Sequence, residues 1–117
     1  MLIYDVIIPV YRPDEKLKRL INTLLSQSLL PRRIILINTE REEFLKFSPE
    51  EAFLAQSPRL KLYHISKAEF NHGATRNYGV SLSDAPFFIC MTDDAIPAGN
   101  TMMEELLKPF SDRKSVV

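Results

Sequence analysis

Asp93 and Asp94 are the side chains of this sequence best suited to chemistry. They stand side by side in Met91-Thr92-Asp93-Asp94-Ala95-Ile96-Pro97, directly after the apolar run from Pro86 to Met91. A run of that kind reads as a buried strand. Two carboxylates at its mouth raise each other's pKa unless a positive partner intervenes, and a divalent cation supplies one. Hard oxygen ligands suit Mg²⁺ or Mn²⁺, ions that also bridge to nucleotide phosphates. The same pair would equally serve as a solvated turn or a helix cap, a common use of Asp. Tyr11 offers a face for stacking, or is simply a half-buried aromatic at a strand end. Arg76 presents a planar fork to a diphosphate or to Asp93, or sits in a helix-surface ion pair. His72 could reach sugar, phosphate or metal, against the commoner fate of a hydrogen-bonded structural histidine. Gly73 either allows a close backbone approach or an unusual dihedral, or is a plain helix-start glycine. His64 and His72 have no cysteine nearby, so a zinc site is not expected.

Composition narrows the classes. The chain has 117 residues, which points to one domain over 1–117. Lys and Arg number 15, against 15 Asp and Glu, so no basic field advertises nucleic acid or an anionic membrane as partner. Cys90 is the single cysteine, which excludes an internal disulfide framework and suggests a reducing, cytoplasmic setting. Inside its apolar run Cys90 is expected to be a small core residue. Asp5 interrupts the first apolar stretch, so no signal peptide is expected. No apolar run reaches the length of a membrane span.

The elements that must position the carboxylates follow from periodicity. Leu2 to Val10 contains a continuous β-branched run, as in a strand covered on both faces. Pro13-Asp14-Glu15 opens a helix whose buried face is Leu17, Leu20, Ile21, Leu24 and Leu25, and Pro31 is its expected stop. Arg33 to Asn38 is a second strand. Ser48-Pro49-Glu50-Glu51 matches a capping box, which predicts a short helix to about Gln56. Leu60 to Ile65 alternates like an edge strand, Ala74 to Leu82 is expected to be helical, Pro86 to Met91 is the fourth strand, and Thr101 to Leu107 a last helix. This alternation predicts a three-layer α/β fold, a mostly parallel sheet with helices on both faces. Ligands in such sheets sit at the carboxyl ends of the strands, where Tyr11, Asn38, Ser66 and Asp93-Asp94 gather.

Four stretches, in order, resemble family 2 glycosyltransferases of the nucleotide-sugar-binding GT-A fold. They are Asp5-Val6-Ile7-Ile8-Pro9-Val10-Tyr11, Gln27 to Ile37, Asn71-His72-Gly73-Ala74-Thr75-Arg76-Asn77, and Thr92-Asp93-Asp94-Ala95-Ile96-Pro97. The Phe70-Asn71-His72-Gly73 variant looks most like rhamnosyltransferase-type members. The resemblance implies a nucleotide-diphosphate sugar donor lined by Pro9, Val10, Tyr11, Asn38, Arg76 and Asp93. It implies Mg²⁺ or Mn²⁺ on Asp93 and Asp94, with Asp94 as direct ligand. It further implies inverting transfer to a glycan or lipid-linked acceptor in cell-envelope polysaccharide synthesis. One departure stands at the end of the second strand. Family members carry acidic residues and a Gly-Ser turn there, where this chain has Asn38-Thr39-Glu40-Arg41.

Family members are also longer. The chain is therefore expected to be the donor-binding half of a larger enzyme, peripheral at the inner face of a membrane. Its general base would lie beyond residue 117, and Val116-Val117 would start the next strand. Alone it is expected to be inactive, with an exposed sheet edge that invites dimerisation. The alternative is a non-catalytic, flavodoxin-like binding module. A Rossmann oxidoreductase is disfavoured, since Gly73, Gly79 and Gly99 form no glycine-rich turn after the first strand. A receiver-type phosphoryl enzyme is disfavoured by Pro9-Val10-Tyr11 where it would carry acids.

Overall fold

The structure is a computed structural model that describes residues 3–69, 71–95 and 99–110. Four strands, β1 (Tyr4–Tyr11), β2 (Arg33–Thr39), β3 (Leu60–Ile65) and β4 (Phe87–Cys90), form one sheet in the order β3-β2-β1-β4. Every pairing is parallel. Parallel neighbours need crossovers, usually helical. The α-helices are α1 (Glu15–Leu25), α2 (Arg41–Phe47), α3 (His72–Ser81) and α4 (Met102–Leu107).

Strand alternation sorts the side chains into two layers. Tyr4, Val6, Ile8 and Val10, with Ile34 and Leu36, pack with Leu17, Leu20, Ile21 and Leu24 of α1 and with Phe44, Met103 and Leu107. Ile7, Ile35 and Ile37 face the other way, with Val80 and Leu82 packed against them. Helices thus cover both faces, as the alternation of elements predicts. Gly79 sets the depth of α3, because a Cβ there would collide with Ile7.

Several boundaries differ from expectation. Asp14 caps α1 by accepting from the Lys16 N–H at 2.9 Å, but the helix ends at Leu25, well short of Pro31. Asn71 accepts from the Ala74 N–H at 3.1 Å, so α3 starts at His72. The capping box at Ser48 does not form. Ser48 instead closes α2, a helix the sequence reading missed, with its N–H donating to the Phe44 carbonyl at 2.9 Å. Its hydroxyl accepts from the Phe53 N–H at 2.7 Å, two residues beyond the capping-box position. Glu50 and Glu51 both lie at φ 56°, so the short helix expected to end near Gln56 is a kinked 3₁₀ helix, Pro49–Gln56, rather than an α-helix. Phe70, Ile96-Pro97 and Val116-Val117 lie outside the described residues.

A charged network ties the amino end of the sheet. Asp5 is fully buried, and accepts from Arg32 at 2.8 and 3.1 Å, from the Arg33 N–H at 3.1 Å and from the Ser83 hydroxyl at 2.6 Å. Arg32 also pairs with Asp84. Among the described residues, no helix is long and apolar enough to cross a membrane.

Candidate functional site

The carboxyl ends of the strands form a graded edge. Tyr11 lies in register with Thr39, and Thr39 with Ile65. By alternation Pro9, Tyr11 and Thr39 share the face of Ile7 and Ile37, toward α3, while Val10 and Asn38 point into the α1 layer. This parity buries the side chains of two of the expected donor residues. Val10 is a core side chain, 2% exposed. Asn38 is fully buried, and its Nδ2 is engaged by the Glu40 carbonyl and the His64 Nδ1, each at 3.0 Å. The Nε2 of His64 lies 2.5 Å from Glu51 Oε2.

The acidic pair occupies the two central positions of a turn closed by the Ala95 N–H donating to the Thr92 carbonyl at 3.1 Å. The turn geometry divides their roles. Asp94 is exposed, whereas Asp93 is half-buried with the backbone N–H of Tyr11 near enough to favour its charge. Burial chiefly pushes the Asp93 carboxyl above the usual carboxylate range; the Tyr11 N–H opposes this, and the charges of Asp94 and Asp14 add to it. Gln27 holds the chain that follows. It donates to the Gly99 carbonyl at 2.7 Å and accepts from the Met103 N–H at 3.1 Å.

Asp93 meets the physical condition for a cation site, a partly desolvated carboxylate among like charges. No three His, Cys, Asp or Glu residues converge on a metal-sized space among the described residues. A Mg²⁺ held by two carboxylates and completed by substrate phosphates needs no such cage.

Beside the turn lies a cavity of about 340 Å³ lined by Pro9, Gly73, Arg76, Cys90, Met91 and Thr92. Arg76 is exposed, forms no salt bridge among the described residues, and faces Cys90 closely enough to act on its thiol. Burial dominates there and pushes the thiol up. Cys90 itself corrects an expectation: it is exposed at the outer strand rather than in the core. Gly73 is a plain helix-start glycine, since a Cβ there would make only an ordinary contact with Asn71 at 3.5 Å. His72 opens α3.

The structure thus gathers Pro9, Tyr11, Arg76, Asp93 and Asp94 at this edge, with the side chains of Val10 and Asn38 buried beneath it. It adds two residues that sequence reasoning passed over, Arg12 and Lys67, both against the Tyr11 ring. Their places just past the ends of β1 and β3 are the signal that would have found them.

Comparison with known proteins gives this edge a context. The O-antigen chain rhamnosyltransferase RfbN of Salmonella typhimurium is 29% identical over 109 residues, which is 92% of this chain and 33% of that protein. The O-antigen chain rhamnosyltransferase WbaN of Salmonella anatum is 42% identical over 50 residues, 42% of this chain and 16% of that protein. The chain therefore spans at most about a third of the curated relatives it matches. Among solved structures, S. aureus TarS 1-349 in complex with UDP-GlcNAc superposes with a TM-score of 0.68 at 19% identity, over 95% of this chain and 31% of that one. The same protein in complex with UDP gives 0.68 at 17% identity, over 92% of this chain and 31% of that one. These likenesses establish the nucleotide-sugar-type α/β fold. A family model, Glycosyl transferase family 2, matches residues 5–117, and the chain belongs to that family.

Proposed function

We propose that this chain binds a nucleotide-diphosphate sugar at the carboxyl edge of its sheet and forms the donor half of an inverting glycosyltransferase. The observation that carries the reading is geometric: the turn that presents Asp93 and Asp94 follows β4 directly and borders the cavity lined by Pro9, Arg76 and Thr92 at the carboxyl edge of the sheet. Tyr11 offers the base a stacking face. Arg76, exposed beside the cavity at Pro9 and Thr92, offers a planar fork to the diphosphate. Asp93 and Asp94 would hold Mg²⁺ or Mn²⁺. A bound divalent cation stabilises the charge that develops on a diphosphate leaving group. The rhamnosyltransferase relatives favour a deoxyhexose donor and a growing cell-envelope glycan as acceptor.

The general base is not assigned among the described residues. Glu104 and Glu105, the carboxylates after the acidic turn, are engaged elsewhere. Glu104 accepts from the Ser28 hydroxyl at 2.7 Å, and Glu105 from Thr101 at 3.4 Å. Without a positioned base, transfer loses a factor of roughly 10²–10⁴. The test is calorimetric titration of UDP, GDP and dTDP with and without Mn²⁺. Metal-dependent binding of at least one is expected, and no heat from any of them in a folded sample defeats the reading.

A further inference from the structure

The burial of Asn38 leaves a gap in the donor site. Something other than the end of β2 must read the edge of the base. Asn38 is fully buried, and its amide is engaged by His64 and Glu40. Two other groups already lie against the platform. The Arg12 guanidinium is 5.0 Å from the Tyr11 ring centroid and the Lys67 ammonium 6.0 Å, both within cation–π reach.

The backbone holds both cations there. Arg12 takes φ 49°, a left-handed conformation uncommon for a long side chain. Lys67 is fixed through its N–H, which donates to the Glu40 carboxylate at 2.6 Å, and Glu40 itself sits at φ 67°. Strain of this kind persists only where surrounding structure enforces it. Neither side chain is strongly committed. Arg12 is 65% exposed, with Glu43 at 3.8 Å. Lys67 is exposed and makes no salt bridge among the described residues.

We infer that Arg12 and Lys67 select the donor's base, taking bases that carry a ring carbonyl and rejecting adenine. The inference rests on Tyr11 being the base platform. Guanidinium and ammonium groups are donors only. Uracil, thymine and guanine each present a carbonyl oxygen to such donors. Adenine presents no carbonyl, only ring-nitrogen acceptors, and the amino group between N1 and N7 meets a cation unfavourably. A base stacked on Tyr11 takes ring surface that the two cations now cover, and its carbonyl oxygens replace that contact with charge-assisted hydrogen bonds. Specificity arises because cations placed to donate to a carbonyl meet an amino group at the same position of the wrong base.

The test is a calorimetric panel of UDP, dTDP, GDP and ADP with Mn²⁺, on the wild-type chain and on Lys67→Met, Arg12→Met and the control Lys61→Met, an exposed lysine of β3. At least one carbonyl-bearing nucleotide is expected to bind wild type about tenfold tighter than ADP. Lys67→Met or Arg12→Met should shrink that ratio severalfold by weakening the preferred nucleotide alone, and Lys61→Met should leave it intact. Equal binding of ADP overturns the inference. So does an equal loss across all four nucleotides, which would put the cations on phosphate. Failure of the wild type to bind any nucleotide overturns the donor reading beneath it, an outcome distinct from both.

Discussion

At Asp93, stability and ligand binding pull in opposite directions. Its folded carboxyl lies above the usual carboxylate range, chiefly through burial. The folded state therefore holds its proton more tightly than the unfolded state. Stability falls as pH rises from the ordinary Asp range through the raised value, and the ionised group opposes folding at neutral pH. Asp93→Asn keeps the shape of the side chain and an acceptor oxygen, and removes the charge. In the metal-free protein at neutral pH its melting temperature should equal or exceed wild type by scanning calorimetry. Its metal-dependent nucleotide affinity should fall tenfold or more, about 1.4 kcal/mol. Asp94→Asn should show the same affinity loss with no change in melting temperature, because Asp94 is exposed. Wild-type affinity in both variants would reduce the pair to a turn. Tyr11, Arg76 and the acidic pair were legible as residue types at strand ends and a helix start. The burial of the Val10 and Asn38 side chains was not legible, because Val6-Ile7-Ile8 and Ile34-Ile35-Leu36-Ile37 are apolar at every position and carry no alternation from which to read parity.

The elements themselves were mostly written in the hydrophobic periodicity, and β3 was legible residue for residue. What escaped was local hydrogen-bond competition. The Ser48 hydroxyl had two backbone partners within reach, and the one further along the chain won. α2 has a single fully buried residue, Phe44, too weak a stripe to announce a helix. Packing of α3 was also invisible in sequence, since nothing marks Gly79 as the contact with Ile7. Alanine is the better helix former by up to about 1 kcal/mol. Gly79→Ala should nonetheless lower stability by roughly 1–3 kcal/mol, because Ile7 is fully buried and cannot withdraw cheaply. Urea unfolding measures this. The same variant should weaken nucleotide binding, since lifting α3 moves Arg76.

Across the whole molecule the two ends of the sheet divide the work. The amino end is held by Asp5, Arg32, Arg33 and Ser83, and the carboxyl end carries the candidate site. Asp5→Ala should cost about 3 kcal/mol, toward the low end for a broken buried pair, because Arg32 keeps 32% exposure to water. Nucleotide affinity of the folded fraction should not change, which separates structural from functional charge. The parallel α/β class follows from the alternation of elements, but the order β3-β2-β1-β4 does not. Lateral order depends on which way each crossover turns, and no residue pattern records that.

The contact between Asn38 and His64 has a consequence for where a proton sits. An amide NH₂ only donates, so the His64 Nδ1 that faces it at 3.0 Å must offer a lone pair. The ring's single hydrogen is then on Nε2, directed at Glu51 Oε2. A second proton on Nδ1 would oppose two donors. The buried Asn38 Oδ1, which has no partner, would accept that proton if the amide turned over. The turn would strip the Asn38 donor from the Glu40 carbonyl, in the same residue whose carboxylate anchors Lys67. Nitrogen-detected NMR of the imidazole should show the Nε2–H tautomer.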